Sequence, residues 1–213
     1  MSAHAEKQRR GIFDRLVGLA VVLGGFAKFF AFFVSFAAYS VWFHSWQFGL
    51  GFVLLILVHE LGHVAEAKRQ GLPVTLPTFI PFIGAYVTVH HSNTAPWRSA
   101  LVSLAGPFAG GLAAAGVWAY GSAQNTAWLV VLANLGFLLN AFNMLPIGFL
   151  DGGAVWRAVT DTWQRPRIRF ENDVPVEALP PDRAHAALVA TLYFLLAAAL
   201  VGGMLATRHS GML

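Results

Sequence analysis

The sequence predicts an all-α polytopic membrane protein of about five to six transmembrane helices, with a short membrane-associated β-hairpin. Three observations predict it. Of 213 residues, 57% are hydrophobic and only 11% charged, whereas soluble domains carry about a quarter charged residues. Apolar runs of roughly bilayer-crossing length recur along the chain. The basic residues fall between those runs in an order that fits one topology.

The elements follow in order. Lys7, Arg9, Arg10 and Arg15 precede an apolar segment at 16–27, which has the length of a signal-peptide core. Apolar character continues through Phe43, however, so this reads as a retained cytoplasmic end. The segment either lies in the interface or extends the first span, at 26–43. Lys28 sits near that boundary, where its long stem reaches lipid headgroups. Further spans are expected at 48–67, 100–120, 127–147 and 186–207. Residues 72–89 contain Pro73, Pro77 and Pro81 among β-branched and aromatic residues. That density of proline excludes a regular helix and suits short strands bent at Gly84. The segment is too apolar for a solvated loop and is expected against the membrane. Residues 164–184 are polar and read as an aqueous cytoplasmic loop. The whole of 1–213 is expected to be a single membrane-embedded domain with its core motifs at 48–153.

A cytoplasmic N-terminus places Lys68, Arg69, Arg98, Arg157, Arg165, Arg167, Arg169 and Arg183 on the cytoplasmic side. Trp42, Trp46 and Trp128 then mark the outer interface, and Trp97 and Trp156 the inner one. A formal charge of +4 on such a chain is a topology signal and a lipid contact; nucleic acid is not an expected partner. A small chain without cysteine suits a prokaryotic plasma membrane.

Without cysteine, any metal must be held by histidine and carboxylate. His59-Glu60-Leu61-Gly62-His63 closes the second span. Residues four apart share a helix face, so both imidazoles can meet one ion, with Glu60 beside them to take a proton from water. Three ionisable groups after the run 52–58 cost several kcal/mol to bury unless something compensates, and a metal does. The plainer alternative is a polar end of a span contacting headgroups. A third ligand is expected at matching depth. Asp151 ends the apolar segment 142–150 and reaches the same side; the plainer alternative for it in isolation is an Asp-Gly turn at a helix end. His90 and His91 are alternative ligands. Gly106, Pro107, Gly110 and Gly111 read as helix packing.

His59–His63 in one span, followed by Asn143-Met144-Leu145-Pro146-Ile147-Gly148-Phe149-Leu150-Asp151-Gly152 in a later one, resembles the site-2 protease family of intramembrane metalloproteases. Ser103-Leu104-Ala105-Gly106-Pro107 resembles the family's small-residue span, and Gly84-Ala85-Tyr86-Val87 its membrane-embedded hairpin. The match is to a compact form without a PDZ or CBS module. The pattern departs from the family's in having Met144 after Asn143, with Pro146 displaced. The resemblance implies one Zn2+ per chain, held by His59, His63 and Asp151, with Glu60 as general base and Asn143 donating to the oxyanion or the substrate backbone. It also implies cleavage within or near transmembrane segments of other membrane proteins, on the cytoplasmic side. Two other classes fit part of the pattern. A catalytically silent membrane scaffold would keep the fold without cutting, and a membrane metal transporter would need no base at Glu60.

Overall fold

The computed structural model describes the backbone of residues 3–89, 94–171 and 174–209, and the side chains of 23–89, 94–168 and 177–209. Among these residues the elements run α1 (Ala3–Trp42), α2 (Trp46–Arg69), β1 (Thr78–Ile80), β2 (Gly84–Tyr86), α3 (Pro96–Ala123), α4 (Ala127–Asn143), α5 (Asp151–Gln164), β3 (Arg167–Glu171), β4 (Val174–Leu179) and α6 (Arg183–His209).

Among the described residues, four helices are long and apolar enough to cross a membrane: α1 from Leu23, then α2, α3 and α6; α4 is apolar but only 17 residues long. α1 passes unbroken through 16–27, so that segment continues the first helix. Phe26, Phe29 and Phe30 on α1 are each more than 60% exposed, a run that only lipid or a partner would tolerate. Lys28, expected at the headgroups, instead donates from Nζ to the Leu76 carbonyl at 2.8 Å, tying α1 to the approach to β1.

The first hairpin forms where the sequence places it. β1 and β2 pair antiparallel with Thr78 opposite Tyr86 and Ile80 opposite Gly84. Gly84 takes φ of 128°, which a side chain would resist. Phe79 projects from β1 against Phe32 of α1 in an edge contact, with centroids 5.2 Å apart.

Two expectations are corrected. Helix was expected to run to residue 147, but α4 ends at Asn143, capped by Met144. Pro146 has no N–H to continue the ladder, and the chain turns before re-entering helix at Asp151. The polar stretch 164–184, expected as a loop, holds the antiparallel pair β3–β4, with Arg167 opposite Leu179 and Ile168 opposite Ala178. Its polar composition is compatible with strand pairing, since described side chains here such as Arg167, Ile168 and Glu177 are exposed.

Packing divides into two apolar clusters. One joins α3, α4, α5 and α6 through Leu104, Phe137, Val155, Val189 and Leu200; the other joins α1, α2 and β1 through Tyr39, Val53, Ile56 and Phe79. Pro107 lies inside α3 and is fully buried, as expected of a packed span. From α6, the Tyr193 hydroxyl donates to the Met144 carbonyl, bracing the turn that leads to Asp151.

Candidate metal centre

The His59 and His63 side chains leave α2 one turn apart on its buried face, as i, i+4 spacing dictates. Both are under 10% exposed. Asp151 reaches them from the first residue of α5, where a helix N-terminus favours a carboxylate. His59 Nε2 lies 3.2 Å from His63 Nε2. Asp151 closes the triangle, with Oδ2 3.2 Å from His59 Nε2 and Oδ1 3.4 Å from His63 Nε2. Among the described residues these three make up the one group of metal-ligating side chains close enough to hold an ion.

The other ring nitrogens are spoken for. His63 Nδ1 donates to the Val102 carbonyl of α3 at 2.7 Å, and His59 Nδ1 to Asn140 Oδ1 of α4 at 2.8 Å. Both Nε2 atoms thus keep their lone pairs for a metal, the usual second-partner arrangement of metal-binding histidines. Helix α3 passes close enough to allow this only because it is small there. A Cβ on Gly106 would collide with the His63 ring, and one on Gly110 with the Asn140 amide. The pair expected as mere packing therefore makes room for the centre.

A cavity of about 480 Å³ opens at the triangle. Glu60, 5% exposed, lines it beside the three ligating groups, and Asn143 and Phe149 line it from the α4–α5 side. The opposite wall is the hairpin, from Ile83 through Val89. Asn143 donates one amide hydrogen to Leu139 O at 3.1 Å. His90 and His91 lie outside the described residues.

This geometry can be set beside known proteins. The model for peptidase family M50 matches residues 47–126 and 121–174, more than half of the chain. The chain belongs to peptidase family M50. Its resemblance to the site-2 proteases stands, and with its long apolar helices it is an integral membrane protein. A Synechocystis protein provisionally named a zinc metalloprotease, sll0528, is 33% identical over 128 residues, covering 56% of this chain and 33% of the relative. The Mycobacterium tuberculosis protein Rip3, likewise named, is 33% identical over 134 residues with the same coverage. The Arabidopsis thaliana chloroplastic protein EGY1 is 29% identical over 150 residues, covering 48% of this chain and 27% of the relative. The chain thus spans about a third of the length of these relatives or less.

In this M50 chain the sequence reading brings His59, Glu60, His63, Asn143 and Asp151 to one cavity, as the structure does. It passes over Asn140. The available signal was a buried-looking amide in the apolar run 135–142, since a polar side chain inside a span usually has a function.

Proposed function

We propose that this chain is an intramembrane zinc endopeptidase acting on transmembrane segments of other proteins, with residues 1–213 forming one membrane-embedded unit. The observation that carries the reading is the triangle of His59, His63 and Asp151 with Glu60 in the same cavity. Zinc–ligand distances of roughly 2.0–2.1 Å at tetrahedral angles separate neighbouring donor atoms by about 3.3 Å. The separations here, 3.2, 3.2 and 3.4 Å, are close to that spacing, with Asp151 facing His59 through Oδ2 and His63 through Oδ1. Three protein ligands also leave one position open, as catalytic zinc sites do.

When bound, zinc supplies Lewis acidity, acidifying water and polarising a peptide carbonyl. Glu60 takes the proton from the attacking water and returns it to the leaving amine. Asn143, at the cavity wall, donates a hydrogen bond to the oxygen of the attacked carbonyl or to the neighbouring substrate backbone. A helix in lipid hides its carbonyls in its own ladder, so the substrate must unwind before attack. The strand side of the cavity, residues 83–89, offers main-chain partners for the unwound segment, as in strand addition. The basic residues that follow α2 and α5 put this end of the bundle on the cytoplasmic side, from which water enters.

The test is cleavage of a panel of single-span peptides in proteoliposomes by wild type and Glu60→Gln, with zinc content measured in both. Loss of cleavage with zinc retained is expected. Full turnover by the zinc-loaded variant would refute the assignment of Glu60 as base.

A further inference from the structure

Asn140 is fully buried in the last turn of the apolar helix α4, and it stands behind the cavity, not in its wall. Its amide is nevertheless fixed at both ends. Nδ2 donates to the Gly136 carbonyl at 2.7 Å, and Oδ1 lies 2.8 Å from His59 Nδ1. A carbonyl can only accept, so the amide nitrogen must face Gly136 and the oxygen must face the imidazole. The oxygen in turn requires a proton on His59 Nδ1. Only one neutral tautomer satisfies the chain of bonds, and it presents the Nε2 lone pair to His63 and Asp151.

Helix α3 locks the amide from the third side. A Cβ on Gly110 would stand 2.6 Å from Asn140 Nδ2 and 2.7 Å from its Cγ, and closer still to Oδ1. An alanine there must displace the amide from one bond or both. Gly116, further along the same helix, faces open space.

We propose that Asn140 is a positioning residue for the metal centre: its amide selects the His59 tautomer and holds the ring plane, and Gly110 keeps the amide in place. This rests on the zinc reading above. An outer partner of this kind is typically worth 10–100-fold in metal affinity.

The experiment measures zinc affinity by competition with a chromogenic chelator on the full chain in detergent, together with the visible absorption of the Co2+-loaded protein and the thermal midpoint of the metal-free protein. Asn140→Leu, similar in volume but without an acceptor, is expected to bind zinc 10–100-fold more weakly and to shift the Co2+ bands while its metal-free midpoint shows a folded protein. Asn140→Asp restores an acceptor to His59 and is expected to recover most of the affinity. Gly110→Ala should match the leucine variant, the two changes combined should cost no more than either alone, and Gly116→Ala should bind like wild type. Should Asn140→Leu not fold, Gly110→Ala gives the same reading. Wild-type affinity in a folded leucine variant, or equal weakness in the leucine and aspartate variants, would overturn the positioning role while leaving the metal centre intact. A wild type that binds no zinc would overturn both.

Discussion

Gly106→Ala is the smallest change that reaches the centre without touching a ligand. The added methyl would stand 2.8 Å from His63 Cδ2 and nearer still to Cε1 and Nε2. Carbon atoms in contact settle at about 3.5–4.0 Å, so the ring must withdraw by at least about 0.7 Å. It has nowhere easy to go, because Nδ1 is held by Val102 O, on the same helix as the new methyl. Metal–ligand distances tolerate about 0.2 Å, so the displacement exceeds what a bound ion accepts. We expect zinc affinity to fall at least 10–100-fold, equivalent to about 1.4–2.8 kcal/mol, with about 1–3 kcal/mol of overpacking cost to the metal-free fold. Chelator competition reads the first quantity and thermal unfolding in detergent the second, with Gly116→Ala as the control that adds the same methyl in open space. A Gly106→Ala protein with wild-type zinc affinity would mean that α3 does not press on His63 as described.

Asp151→Ala is expected to bring zinc content from about one per chain to near zero on purification, since two imidazoles alone make a weak site; zinc retained in this variant would put the third ligand at His90 or His91. Val87→Pro removes one main-chain donor from the cavity's strand wall and should slow cleavage of single-span peptides severalfold with zinc content unchanged; unaltered cleavage would argue against strand addition. Near the start of α6, the hydrogen bond from His185 to Asp182 holds that carboxyl below the usual aspartate range. The folded value lies below the unfolded value of about 3.9, so the stabilisation is complete above that pH and is lost as pH falls through the folded value. The carboxyl is close to solvent, so the effect should stay below about 1 kcal/mol. Unfolding midpoints of wild type and Asp182→Asn should therefore converge in acid and separate above about pH 4; parallel curves would exclude the contribution.

Much of the fold was legible because lipid simplifies the code. Long apolar runs become spans, and the prolines at 73, 77 and 81 leave strand as the remaining choice for the segment after α2. The candidate metal-binding histidines, His59 and His63, were legible because composition seldom produces histidines four apart beside a glutamate in an apolar helix. What stayed hidden depended on tertiary contact. Asp151 could be named from the sequence as the candidate third ligand, but that it opens α5 against the two imidazoles depends on the packing of α5. The strands β3 and β4 carry apolar residues at alternate positions, such as Ile168 and Phe170, but charged neighbours mask that period in composition. Asn140 is indistinguishable in sequence from Asn134, whose amide spends its hydrogens on Met204 O and Thr207 Oγ1 of α6. Only the crossing of α2 and α4 gives the two amides different tasks.

The hydroxyl of Tyr193 on the carbonyl of Met144 has a consequence for the order of assembly. A chain inserted from its N-terminus has both histidines in the membrane early, and Asp151 some ninety residues later. The turn that presents Asp151 is not braced until the last helix has docked. Docking of α6 is therefore what steadies Asp151 against His59 and His63, so the last segment to be made fixes a geometry built from the middle of the chain.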